Sequence, residues 1–136
     1  MFNIQQKFDT NIVTWQEAID NINQSMLNKE EVKIKEPGHY VVHEAQRIWS
    51  VQKILERLRL KYAHLYMNMV VDTGTFGNHK DEMNVWYWQC EGRTKWIIDE
   101  KDECLLEPGD LIFIEAGTYH NIIPLTPRFG ISMSNT

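Results

Sequence analysis

From Ala63 to the C-terminus, short apolar runs alternate with turns built on glycine and proline. The runs are "AHLYMNMVVDT" (63–73), "VWYWQC" (85–90), "KWIID" (95–99), "LIFIEAG" (111–117), "HNIIPL" (120–125) and "RFGISMS" (128–134). Between them stand "EGRT" around Gly92 and "EPGD" from Glu107 to Asp110. Runs of this kind, rich in β-branched and aromatic residues and bounded by turn formers, read as strands. Roughly seven or eight such strands at this spacing suggest an antiparallel sandwich or barrel.

The first 62 residues have a different texture. Thr14, with Glu17 three residues on, forms a capping box ahead of Trp15, Ala18, Ile19, Ile22 and Met26 at helical spacing. "VKIK" (32–35) alternates as a strand, "EPGH" (36–39) turns, and "YVVHEA" (40–45) is a second short strand. A second helix is expected from Ser50, with Val51, Ile54, Leu55 and Leu58 as its apolar stripe. The 136 residues suit one domain. Its parts are a helix and strand lead-in over 1–62 and a β core over 63–136, giving a mainly β fold with about two N-terminal helices packed on it.

Composition narrows the function. With 19 acidic against 14 basic residues the net charge is −5, and no basic stripe extends beyond "KILERLRLK" (53–61), so nucleic-acid binding is disfavoured. No apolar stretch approaches membrane-spanning length, and the start "MFNIQQKFDTNIV" lacks the charged and apolar regions of a secretion signal. Cys90 and Cys104 form no CxxC pair. A cytoplasmic protein with two buried, inert thiols is expected.

The chemistry concentrates at "GNHKDEMNVWYW". On an extended strand residues i and i+2 share a face, roughly 6–7 Å apart. His79 can therefore offer a nitrogen and Asp81 a carboxylate oxygen to one ion. His120, where the run "LIFI" passes through a Gly-containing loop, is the natural third ligand. A two-His, one-carboxylate set leaves open positions on one face of the metal and marks non-haem Fe(II) oxygenases; Mn, Co, Ni or Zn can also fill it. A lone His-x-Asp is usually incidental. The ordered series here is fuller: a Gly-rich approach, His-x-Asp, an apolar strand, a Gly turn, a Pro-Gly-Asp turn and a distal His.

That series, "GTFGNHKDEMNVWYWQCEGRTKW" followed by "LLEPGDLIFIEAGTYH", resembles the double-stranded β-helix of the cupin superfamily, and most of all the JmjC-type and cupin-like 2-oxoglutarate oxygenases. The likeness spans about 74–134 and is weaker before it. It implies a cupin or jelly-roll barrel holding Fe(II) through His79, Asp81 and His120. It also implies that 2-oxoglutarate chelates that metal and that a C–H bond is hydroxylated. Cupin barrels often pair through their edges, so a homodimer is in keeping with the likeness. The substrate, whether a protein residue, a nucleotide or a small metabolite, is left open.

The pattern departs from the family at one slot. JmjC-type members usually place a Lys or Arg two residues past the turn glycine to hold the far carboxylate of 2-oxoglutarate. Here that position is Thr94, and alternation turns Lys95 to the opposite face. Other 2-oxoglutarate oxygenases carry an Arg on the last strand. Arg128, eight residues past His120, fits that place, with Ser132 or Thr94 in support. The fourth-ligand Glu of many simple cupins falls near Val85, which cannot coordinate. Tyr66 and Asn68 alternate before the site and are candidate cosubstrate contacts. Trp86 and Trp88 share a face, as core or as the lining of a substrate pocket. His39, His43 and His64 are read as surface or structural residues. Two alternatives stand beside the oxygenase reading: a metal-binding cupin that does not use 2-oxoglutarate, and a non-catalytic barrel serving as an interaction module.

Overall fold

The computed structural model describes residues 1–71 and 76–136. Its elements in chain order are β1 (Phe2–Gln5), α1 (Trp15–Leu27), β2 (Val32–Glu36), β3 (His39–Val42), α2 (Trp49–Leu58), β4 (Tyr62–Asn68), β5 (Val85–Glu91), β6 (Thr94–Ile98), β7 (Asp102–Leu106), β8 (Leu111–Ile114), β9 (His120–Pro124) and β10 (Arg128–Ser134). The mainly β expectation and both helices hold. β4 ends at Asn68, and the Asp72–Thr73 end of the strand expected there lies outside the described residues.

The strands form two sheets. A seven-stranded sheet has the order β1-β8-β5-β10-β4-β3-β2, and a three-stranded sheet the order β7-β6-β9, all pairs antiparallel. Side chains alternate between the faces of each strand. From β10, Phe129, Ile131 and Met133 pack with Leu65, Met67 and Trp88 against Val51, Ile54 and Leu55 of α2 and Ala18 of α1. On the other face Tyr87, Ile112 and Ile114 meet Trp96, Ile98 and Leu106 of the small sheet. The molecule is thus layered as helices, large sheet, small sheet.

Local rules fix the lead-in. Thr14 Oγ1 accepts from the Glu17 amide while a Glu17 carboxylate oxygen accepts from the Thr14 amide, the reciprocal capping box. The guanidinium of Arg47, just ahead of α2, donates to Asn21 Oδ1 at 2.8 Å and Ser25 Oγ at 3.1 Å on α1, and pairs with Glu30. This fork ties the two helices at one point beneath the sheet. β1, not foreseen from sequence, adds to the large sheet beside β8, pairing Phe2 with Ile114.

One turn glycine is required twice over. Gly92, between β5 and β6, has φ +74°, and a Cβ there would fall 2.0 Å from the Pro127 carbonyl oxygen. The β5–β6 turn therefore docks directly on the β9–β10 turn. Two hydrogen bonds hold it: the Arg93 amide to Thr126 Oγ1 and the Leu125 amide to the Arg93 carbonyl. Among the described residues, no helix is long and apolar enough to cross a membrane.

Candidate metal centre

Backbone pairing brings the two histidines together. His79 and His120 form an antiparallel bridge at the edge of the small sheet, with the His79 amide donating to the His120 carbonyl at 3.0 Å and the His120 amide to the His79 carbonyl at 2.8 Å. Their rings lie 4.4 Å apart, centroid to centroid. Asp81 is held by the Gly117 amide, which donates to its carbonyl at 2.8 Å. One ligand atom from each of His79, Asp81 and His120 lies within 4.8 Å of the other two. Two donors sharing an ion at about 2.1 Å each stand about 3–4 Å apart, so the set needs only a small inward adjustment.

The tautomers suit coordination. Nδ1 of His79 lies 2.9 Å from the Gly77 carbonyl oxygen, and Nδ1 of His120 lies 3.0 Å from that of Thr118. A carbonyl only accepts, so each Nδ1 carries a proton, and Nε2 is the nitrogen left to face a metal. Such a bond from the non-ligating nitrogen orients a metal-binding imidazole. Asp81 Oδ2 is 3.4 Å from His120 Nε2. The His120 imidazole holds the Asp81 carboxyl below its usual range, against the opposing pull of burial, so a carboxylate is available to a cation. Behind the site the Trp96 ring stacks on His120 at 5.7 Å between centroids, fixing its plane.

The triad lies on the wall of a cavity of about 270 Å³ between the sheets. Across it stands Arg128, 2% exposed, whose Nε donates to Asn68 Oδ1 and whose Nη1 donates to the Tyr87 hydroxyl, both at 2.8 Å. No carboxylate among the described residues forms an ion pair with it. A guanidinium withdrawn from water without a counter-ion is costly and favours an anionic ligand. The phenol of Tyr87 crosses the sheet over Gly130, where a Cβ would come within 2.1 Å of the hydroxyl oxygen. Only glycine at 130 leaves room for that reach.

The remaining predicted residues divide. Ser132 and Tyr66 line the cavity. The Tyr66 hydroxyl is kept protonated by burial and by Asp81 nearby. Asn68 is fully buried and holds the guanidinium from beneath. Val85 lines the wall at the slot where a fourth ligand would stand. Lys95 faces away from the interior, beside Glu103.

Three readings are corrected. Thr94 is wholly buried, and its hydroxyl is engaged: it donates to Gln89 Oε1 at 3.0 Å and accepts from Trp96 Nε1 at 3.1 Å. It is not part of the cavity lining and serves the scaffold behind Trp96. Trp86 and Trp88 do not line the cavity either. They occupy the opposite face of β5, in the helix-side core, where Trp88 Nε1 donates to the Asp9 carbonyl. Parity selects Tyr87 instead, because it pairs with Ser132 on β10. His39 and His64 line the cavity, and of the surface or structural reading the surface half fails for His39, which is 1% exposed.

The fold itself has close likenesses among solved structures. The chain superposes on the Escherichia coli ribosomal oxygenase YcfD in complex with cobalt and 2-oxoglutarate, with a TM-score of 0.75 and 17% identity. The chain shares its fold with the corresponding half of YcfD. The match covers 100% of this chain and 48% of YcfD, so the chain spans about half that protein's length. A YcfD structure in complex with cobalt and succinic acid matches at a TM-score of 0.72 and 17% identity, over 99% of this chain and 48% of that one. KdgF from Halomonas sp. matches at 0.57 and 16% identity, over 80% of this chain and 91% of its own. Neither a family model nor a curated protein sequence matches. At these identities the likeness concerns the fold.

Proposed function

We propose that this protein is an Fe(II)- and 2-oxoglutarate-dependent oxygenase. The observation that carries the reading is one cavity with two complementary ends: the His79, Asp81 and His120 donors on one wall, and the buried Arg128 guanidinium across from them. A keto acid with a second carboxylate matches that pair of ends. Its oxo-acid group would meet the metal, and its far carboxylate would meet Arg128 in the forked geometry that a guanidinium offers. Ser132 and Tyr66 would line its path. The cobalt and 2-oxoglutarate held by the structural neighbour YcfD support the same ligands here.

Iron and 2-oxoglutarate, when bound, would let molecular oxygen hydroxylate a C–H bond, with one oxygen atom passing to that substrate and the other to succinate as the keto acid loses carbon dioxide. The chain's own residues do the positioning. The backbone bridge fixes the two imidazoles, and Trp96 holds the plane of His120. Three protein ligands leave coordination positions open toward the cavity. On this reading the place of work is the cytoplasm.

One observation favours a second reading, a metal cupin without 2-oxoglutarate. The slot that usually carries a Lys or Arg in JmjC-type members is Thr94, sealed in the scaffold. Anaerobic titration with Fe(II) and then 2-oxoglutarate separates the two. The oxygenase reading expects a weak visible metal-to-ligand band on adding the keto acid. Tight metal binding with no band would overturn it in favour of the second. The same titration of His79→Ala should take up no metal while the protein stays folded.

A further inference from the structure

The cavity holds a buried polar side chain that the oxygenase reading does not use. His39, on β3, pairs in register with Asn68 on β4, and Asn68 pairs in register with Arg128 on β10. Directly opposed residues on neighbouring strands present their side chains to the same face. His39, Asn68 and Arg128 thus form a polar row across three strands, on the face that looks into the cavity. His39 and Arg128 both line it.

The three members of the row differ in how they are satisfied. Arg128 donates to Asn68 and to Tyr87. Among the described residues neither ring nitrogen of His39 has a hydrogen-bond partner, although the residue is 1% exposed. A neutral imidazole carries one N–H donor and one acceptor, and leaving both unmade inside a protein is costly. The ring is not displaced toward solvent to recover them. It packs edge-on against Phe76 at 5.5 Å, and Phe76 in turn lies 6.0 Å from the His79 ring. His39 therefore stands one aromatic ring away from the metal wall, at the guanidinium end of the cavity.

We propose that His39 is a second ligand-binding residue at that end, donating an imidazole N–H to the anionic group that Arg128 receives. The proposal rests on the oxygenase reading and adds to it a residue that sets which keto acid is held. Arg128 supplies the charge and the fork. His39 supplies a donor from β3, two strands away across β4. A ligand whose far carboxylate reaches both is favoured over one that ends short. Burial, aided by the nearby Arg128 and Lys35 charges, keeps the imidazole neutral near pH 7. A neutral ring still has the N–H this contact needs.

Calorimetric titration of the Mn(II)-loaded protein tests this without turnover. The probes are 2-oxoglutarate and 2-oxobutyrate, which share the oxo-acid end but differ in the far carboxylate. The wild type is compared with His39→Leu and His39→Gln, each checked for folding by circular dichroism. The expected result is a ten- to hundredfold loss of 2-oxoglutarate affinity in His39→Leu, partial recovery in His39→Gln, and less than a twofold change for 2-oxobutyrate. Equal 2-oxoglutarate affinity in wild type and a folded variant overturns the role of His39 and leaves the oxygenase reading standing. An equal loss for both keto acids also overturns it, because the residue would then act on the fold or the metal. Wild type that takes up Mn(II) but neither keto acid overturns both proposals. Should His39→Leu fail to fold, the comparison of wild type with His39→Gln decides: at least a threefold loss confined to 2-oxoglutarate supports the contact, and no loss overturns it.

Discussion

The Tyr87 hydroxyl accepts a 2.8 Å hydrogen bond from Arg128 Nη1, and it reaches that position by lying over the bare backbone of Gly130. Three residues on two strands thus set one cation in place. Gly130→Ala would put a methyl group 2.1 Å from the phenolic oxygen and 2.8 Å from the Trp88 carbonyl. Both neighbours sit in packed layers that move little. The variant is expected to lose about 1–3 kcal/mol of stability through overpacking, and to lose 2-oxoglutarate affinity with it, because Tyr87 must swing away from Arg128. Urea denaturation and ligand titration on the same preparation check both effects.

Arg128 itself separates binding from stability. Replacing it with Met removes a buried charge while filling much of its volume. Replacing a buried cation in this way can be near neutral for the unliganded fold, so a Tm within about 4 °C of wild type is expected. Ligand affinity should suffer far more. Loss of a desolvated charge contact costs about 2–4 kcal/mol, or roughly 30- to 1,000-fold in Kd for 2-oxoglutarate. Arg128→Lys should recover little, because one ammonium cannot reproduce the bonds to Asn68, Tyr87 and a carboxylate together.

Stability should fall on mild acidification, and His39 is a main cause. Burial, with help from Arg128 and Lys35, lowers its pKa from the usual 6.5 to about 4. The unfolded chain therefore takes up a proton between those values while the folded chain does not. The contribution is fully present above pH 6.5 and is lost as pH falls toward 4. The full amount is on the order of 3 kcal/mol. His64, lowered chiefly by its own burial, adds in the same direction. Urea denaturation at pH 7 and pH 4.5 should show a steeper loss for wild type than for His39→Gln, which lacks the titrating group.

The two thiols should differ in reactivity. Cys90 is wholly buried in the helix-side core, and burial pushes its thiol well above the ordinary range. Cys104 on β7 is only half-buried, so reagent can reach it, although burial and Asp102 raise its thiol too. An aromatic disulfide reagent at pH 8 is expected to titrate about one thiol in the native protein and both after denaturation. Rapid reaction of two thiols without denaturant would contradict the packing around Cys90.

Much of the fold was legible because its signals are local. The Thr14–Glu17 box, the "EPGD" turn and the alternation of "RFGISMS" each follow from neighbouring residues. The candidate metal triad was legible in part for the same reason, in that His79 and Asp81 stand two apart. What escaped was parity and register. The string "VWYWQC" does not say which of its faces looks inward, so the sequence leaves Trp86 and Trp88 between the core and the cavity that Tyr87 lines. The pairing of Tyr87 with Ser132 decides this, and it is a contact between strands distant in sequence. His39 was missed likewise, since its importance arises from standing two strands from Arg128. Thr94 was placed on the cosubstrate because the turn spacing located the residue but not the hydroxyl's partners, Gln89 and Trp96.

The bridge between His79 and His120 has a consequence of another kind. Its two hydrogen bonds belong to the main chain, so neither depends on an imidazole being present. The wall keeps its shape whichever side chains stand at these two places. Donors there are interchangeable parts on a fixed mount: cysteine, glutamate or glutamine at 79 or 120 would project from the same two points at the same separation. A small set of such exchanges would turn this chain into a family of cavities that differ in the ion they prefer and share everything else.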